Sequence, residues 1–149
     1  MQPAKVNPPC YFLMAILVML GLKWIPAVPL LSGPWYWAIG GLLLILGSGC
    51  TGLGARLFRK AGTNLVPFSE STALVIHGLY NYTRNPMYLG MVIALAGVAF
   101  LLNERWPWLV LPVFAAIIQL RFIRYEEQLM EDTFGDAYVD YKSRVRRWL

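Results

Sequence analysis

Between Lys5 and Lys23 the chain carries no charged side chain, and charge is again absent from residues 24–55, 85–103 and 107–120. Runs of this kind leave few folds open. About 20 apolar residues in helical form cross the hydrocarbon of a bilayer, and only a helix or a closed barrel satisfies its own backbone there. The runs predict membrane helices near residues 9–28, 34–57, 86–103 and 107–123. They would be joined by a polar loop over 58–85 and followed by C-terminal helices within 124–149. The expected fold is therefore a single all-α integral-membrane domain with about four transmembrane helices and a cytoplasmic C-terminal helical extension. With 58% hydrophobic and 14% charged residues, the chain departs from soluble domains in the same direction.

The charges that remain are unevenly placed. Eleven basic residues, including Arg56, Arg59, Lys60 and Arg84 in the loop and six after Leu120, fall on one side of such a bundle, leaving only Lys23 and Arg105 for the other. By the positive-inside rule both termini are cytoplasmic. That distribution also accounts for the net charge of +5 without nucleic acid as a partner. Lys5 and the first apolar run lack a small-x-small cleavage pattern and are expected to stay as an anchor. Cys10 and Cys50 sit in apolar segments with no metal-ligand spacing, so neither a disulfide nor a metal site is expected.

Small residues mark where helices would meet. Gly47, Thr51 and Gly54 recur at helical spacing in the second run, as do Gly90, Ala94 and Gly97 in the third. Such faces let two backbones approach closely in lipid, and they leave an oligomer open without requiring one. Trp35, Tyr36 and Trp37 would start the second helix at interfacial depth.

The polar stretches carry the chemistry. Asn85-Pro86 reads as an N-cap and first helical residue, with the Asn side chain accepting from free N–H groups and the dipole favouring an anion. His77, Tyr80, Arg84, Tyr88, Arg121, Arg124, Glu126 and Glu127 all fall beside helix ends at one membrane face. Charges at that depth are costly unless paired or functional, so Arg84 or Arg124 against Glu127 is the expected ion pair. Arg121 is read as an anchor and His77 as a bystander at the rim. Leu120, Ile123, Glu127 and Met130 share one face of a regular helix. The stretch 62–67 is turn-like, and Phe68 could tuck the loop against the membrane. Phe134-Gly135 stops a helix, Asp136 can start another, and the stripe Tyr138, Tyr141, Val145, Trp148 among Lys142, Arg144, Arg146 and Arg147 is expected to lie on an anionic membrane surface.

In order along the chain, Gly78-Leu79-Tyr80, Arg84-Asn85-Pro86-x-Tyr88-x-Gly90, Glu126-Glu127-x-Leu129, Phe134-Gly135-x-x-Tyr138-x-x-Tyr141 and Val145 resemble the isoprenylcysteine carboxyl methyltransferase and phospholipid methyltransferase superfamily. The stretch from Gly62-Thr63 to Ser71-Thr72-Ala73-Leu74-Val75 is similar to its small bacterial members. The resemblance implies an integral-membrane methyltransferase that uses S-adenosylmethionine and delivers the methyl group to a small lipophilic acceptor reached from the bilayer. The reaction would be O-methylation, as for isoprenylcysteine, or lipid N-methylation. It implies a bacterial inner membrane as location, with the active site cytoplasmic.

Carried onto this chain, the resemblance makes Gly78, Tyr80, Asn85, Pro86, Tyr88, Glu126 and Glu127 the cofactor-binding set and Arg84, Arg124 and Glu127 the catalytic candidates. Asn85 stands where eukaryotic members have His. It keeps hydrogen-bonding capacity but cannot titrate near neutral pH, which removes a base at that position. Whether the glutamates serve the cofactor or steer a proton from the acceptor is open at this level. Two other readings are a membrane NADPH-dependent reductase akin to sterol reductases, whose C-terminal halves are similar, and a non-catalytic membrane scaffold.

Overall fold

A computed structural model describes residues 7–26, 29–62 and 73–149. Lys5, the turn-like stretch 63–67 and Phe68 lie outside the described residues. Helix α1 spans Pro8–Leu22, α2 Trp35–Lys60, α3 Pro86–Leu102, α4 Val110–Ile118, α5 Arg124–Phe134 and α6 Asp136–Arg144. Short 3-10 turns at Gly78–Asn81 and Trp106–Leu109 precede α3 and α4, and a π-helical turn, Gln119–Ile123, joins α4 to α5 without a break. No strand occurs among the described residues.

The breakers act where local chemistry requires. Pro8 and Pro86 open α1 and α3 in the first turn, where a missing N–H costs nothing. Helix α1 ends at Leu22, earlier than the expected span to residue 28; Lys23 is its C-cap and Pro26 comes soon after. Asn103 closes α3 in the left-handed region at φ 54°. Its side chain accepts from Leu31 N–H at 2.9 Å and donates to Leu31 C=O at 3.0 Å, tying the α1–α2 connection to this end of the bundle. Gly135, at φ 53°, ends α5 and lets α6 turn back.

The most intimate packing joins α2 to α3, antiparallel, along the glycine faces. A Cβ built on Gly47 would lie 2.5 Å from Gly90 O and 2.5 Å from Ala94 N, and one on Gly97 would lie 2.8 Å from Gly40 O. Thr51 Oγ1, in contact with the Gly90 position, donates across the pair toward Met87 O at 3.1 Å, and Cys50 Sγ approaches Pro86 O at 3.2 Å. The second packing layer sets α1 against α3 and α4 through Ala15, Met19, Leu95, Ala99, Phe114 and Ile118. Tyr11 meets Phe122 edge-on at 5.6 Å, so the start of α1 lies at the same end as the α4–α5 junction.

Outward-facing positions are apolar. Leu17, Trp35, Leu42, Ile45 and Val113 are all more than half exposed, an arrangement that water penalises and lipid accepts. Helix α2 and the continuous run Trp106–Phe134 are long and apolar enough to cross a membrane, whereas Pro8–Leu22 and Pro86–Leu102 are shorter apolar helices. The π turn changes one expectation. It adds a residue to the turn and rotates the helix beyond it, so Ile123 and Glu127 are buried while Leu120 is 48% exposed and leaves their face.

Candidate active site

The N-terminus of α3, the 3-10 turn before it, the end of α2 and the two C-terminal helices converge at one end of the bundle. Between them lies a cleft of about 540 Å³, counted to its open mouth, lined by residues that include Tyr80, Arg84, Asn85, Tyr88, Glu126 and Glu127. Phe58 and Tyr80 meet at 5.4 Å, their rings tilted by 41°, along one wall, and Tyr138 and Tyr141 from α6 form another. Tyr141 donates its hydroxyl to the Tyr80 carbonyl at 2.7 Å, a buried bond that seats α6 against the 3-10 turn.

Glu127 is the electrostatic centre. Its Oε1 meets Arg84 Nη2 at 3.2 Å and Arg147 Nε at 3.0 Å, while Oε2 meets Arg147 Nη2 at 2.6 Å. Arg147 therefore makes the two-pronged contact that guanidinium geometry favours. The Arg84 and Glu127 side chains are each 9% exposed, against 33% for Arg147. The hydrogen bond to Glu127 raises the basicity of Arg147 further. With two guanidiniums on one carboxylate, the cluster carries surplus positive charge.

Glu126 is held differently. Tyr88, one turn into α3, donates its hydroxyl to Glu126 Oε1 at 2.8 Å. Burial pushes the Glu126 carboxyl up to about 7; the Tyr88 hydrogen bond opposes this rise and neighbouring Glu127 adds to it. Burial also raises Tyr138, to about 12, with Glu127 adding and Arg84 opposing. The two glutamates are thus adjacent but unlike: Glu127 is bound by two arginines, and Glu126, bonded to Tyr88, has its carboxyl pushed up by burial.

Three buried polar atoms in the cleft have no protein partner: Tyr80 Oη, Arg84 Nε and Arg84 Nη1. A buried donor left unmade costs about 1–3 kcal/mol, more on a charged group. Donors of this kind fit carboxylate and hydroxyl oxygens of a small polar ligand.

The residues singled out from sequence separate into groups. Tyr80, Arg84, Asn85, Tyr88, Glu126 and Glu127 line the cleft, and Pro86 is fully buried behind it, against the Gly54 position. Gly78 lies elsewhere, pressed against Leu57 on the other side of the 3-10 turn. Arg124 is exposed and lines an outer groove together with Glu127, Gln128, Glu131 and Arg147; of the two partners expected for Glu127, Arg84 makes the ion pair, and the second cation is Arg147. His77 is exposed.

The Asn85 side chain makes no capping bond; its Nδ2 donates to Arg147 O at 3.0 Å. Thr83 Oγ1 donates to the same carbonyl at 3.2 Å, and Arg84 N–H donates to Arg146 O at 3.0 Å. The chain after α6 therefore folds back onto the loop before α3. Trp148 is carried in with it, donating to Gln119 Oε1 at 2.9 Å. Tyr138 and Tyr141, expected on a membrane surface, are instead each 4% exposed inside the protein. The stripe spacing is the sequence signal for them; for Arg147 the unmet charge of a buried glutamate is the only one.

Residues 35–137 match the family model described as phospholipid methyltransferase. A Haemophilus influenzae protein described only as uncharacterised is 38% identical over 63 residues, 42% of this chain and the whole of that protein. The Protein-S-isoprenylcysteine O-methyltransferase A of Arabidopsis thaliana is 32% identical over 84 residues, 54% of this chain and 41% of the plant protein. The solved structure of the eukaryotic intramembrane Ras methyltransferase ICMT superposes with a TM-score of 0.75 at 23% identity, covering 97% of this chain and 54% of that one. The chain thus spans about half the length of these two methyltransferases and shares the fold of the second. With the family model matched across α2, α3, α4 and α5, the chain belongs to the phospholipid methyltransferase family.

Proposed function

We propose that this protein is an integral-membrane methyltransferase that takes its methyl group from S-adenosylmethionine and passes it to a small lipophilic acceptor entering from the bilayer. The observation that carries the reading is the convergence of buried, unpartnered Arg84 and Tyr80 donors with Glu126 in one cleft. Family membership supports methyl transfer over nicotinamide-dependent reduction. The name of the Arabidopsis relative adds an isoprenylated, carboxylate-bearing acceptor as a model.

In this reading α1, α2, α3 and the helical run from Trp106 to Ile123 cross the inner membrane, and the cleft and both termini face the cytoplasm. The clustering of Arg56, Arg59, Lys60, Arg84 and the C-terminal cations at the cleft end supports that orientation. Tyr80, Arg84, Asn85, Tyr88 and the two glutamates hold the cofactor, and Arg84 and Arg147 orient the acceptor. Bound S-adenosylmethionine supplies a methyl group on a sulfonium, open to in-line displacement by an oxygen or nitrogen nucleophile.

The chain's part is to bind, orient and exclude water. The cation surplus at Arg84, Glu127 and Arg147 suits an acceptor carboxylate, which needs no base. Both carboxylate oxygens of Glu127 are engaged by Arg84 and Arg147. Glu126, poised near 7 and bonded to Tyr88, is the group that could receive one from an amine acceptor.

Calorimetry on the detergent-solubilised protein tests the first step: S-adenosylmethionine or its demethylated product binds, Arg84→Gln weakens binding at least tenfold, and NADPH does not bind. NADPH binding without affinity for the methyl donor would overturn the reading. Labelled-methyl transfer to a prenylated cysteine, compared with phosphatidylethanolamine vesicles, separates the acceptors. Glu126→Gln, which touches cofactor binding in both reactions, should lower the second far more than the first.

A further inference from the structure

On the opposite side of the 3-10 turn from the cleft lies a second crevice, of about 1060 Å³ counted to its open mouth. Arg56, Arg59 and Lys60 from the last turns of α2 ring it, over an apolar wall of Leu53, Leu57 and Leu79. It shares no lining residue with the cleft. We propose that this crevice is a docking site for the headgroup of an anionic phospholipid, with an acyl chain descending along Leu53.

Three observations converge on that occupant. First, Arg56, Arg59 and Lys60 are exposed, and no ion pair is formed by any of them among the described residues, whereas Lys142 and Arg144 on α6 pair with Glu131 and Asp140. Three unneutralised cations within five residues of one helix call for an anion, and the carbonyl end of α2 accounts for only part of that.

Second, one apolar side chain of the wall, Leu53, sits a turn deeper on α2 than the charges. Leu53 is 51% exposed and continues the lipid-facing side of α2 that Leu46 and Ile45 begin. Phosphate-height cations above an acyl-height wall match a lipid rather than a free phosphate or nucleotide, which would have no use for Leu53.

Third, Gly78 builds the far wall. It holds φ at +67°, and a Cβ there would fall 2.9 Å from Leu57 Cδ1, so only glycine lets the turn close on α2 and frame the crevice. Gly78 thereby has a purpose the cleft does not give it. The inference rests on the chain lying in a membrane and is independent of which reaction the cleft performs.

The test uses the full chain in neutral detergent, with native mass spectrometry to count retained lipids. Wild type should retain phosphatidylglycerol at least tenfold more tightly than phosphatidylcholine. The preference should fall to twofold or less in the variant Arg56→Gln/Arg59→Gln/Lys60→Gln and persist in Lys142→Gln/Arg144→Gln. Unchanged preference in the first variant, or equal loss in the second, would overturn the proposal by showing no site or only diffuse attraction. Millimolar inorganic phosphate displacing the lipid would overturn it in favour of a free-anion site. Should the first variant not fold, photoactivatable phosphatidylglycerol on wild type decides: crosslinks confined to peptides covering residues 53–60 and 78–79 support the site, and crosslinks elsewhere refute it.

Discussion

Replacing Glu127 by Gln keeps the shape of the side chain and removes its charge, which makes it the sharpest probe of the cleft. Two arginines would lose their anion, but unequally. Arg147 makes the closer contact, at 2.6 and 3.0 Å, yet its side chain is 33% exposed and can turn into water. Arg84 makes a longer contact, 3.2 Å, but is 9% exposed with Nε and Nη1 already unpartnered. Burial decides between them: stranding a buried charge costs about 3–5 kcal/mol, whereas an exposed pair contributes about 0–1 kcal/mol. Glu127→Gln should therefore cost about 3 kcal/mol, nearly all of it through Arg84, and Arg147→Gln about 1 kcal/mol or less. The assay is reversible unfolding in mixed micelles, run as double-mutant cycles of Glu127 with each arginine. Coupling should be larger with Arg84. A cost for Glu127→Gln below about 1 kcal/mol, or stronger coupling to Arg147, would refute the argument that burial outweighs contact length.

Gly47→Ala and Gly90→Ala should each destabilise by more than the roughly 1–3 kcal/mol usual for overpacking, because the added Cβ meets facing backbone at both, with the Thr51 hydroxyl as well at Gly90; Gly41→Ala, with open space around it, should be neutral in the same melts. Glu126, with a carboxyl raised from 4.5 to about 7 in the fold, keeps its proton longer when folded. Stability is then greatest below about pH 4.5 and declines as pH rises toward 7; melting temperatures across that range should show the slope, and Glu126→Gln should flatten it. Tyr141→Phe removes the buried 2.7 Å bond to the Tyr80 carbonyl and should cost about 1–3 kcal/mol, read as a lowered unfolding midpoint.

The features legible in the sequence are local ones. Charge-free runs, proline starts and glycine stripes act over one helix or one contact pair, and the helices and the α2–α3 seam obey them. The cleft is legible through Arg84, Tyr88 and the glutamates because they lie beside helix ends that must meet at one face. Arg147 is hidden because its contact with Glu127 bridges 20 residues through a chain reversal that no periodicity marks. The Tyr138–Tyr141 stripe fits lipid and protein equally well, and only the packing of α6 on Tyr80 shows which it meets. A regular helical repeat puts Leu120 on the wrong face because a π turn has no sequence signature of its own.

That π turn has a consequence for how the chain tolerates length changes. Each residue of a regular helix advances its neighbours by about 100°, and the π turn Gln119–Ile123 already absorbs one extra residue, so a further residue inserted there would swing both glutamates away from Arg84. No residue of the cleft would have been altered. Insertions in this apolar stretch, which hydropathy alone would pass as harmless, are therefore expected to behave as active-site lesions, whereas a single deletion can be absorbed by the π turn closing to a regular helix.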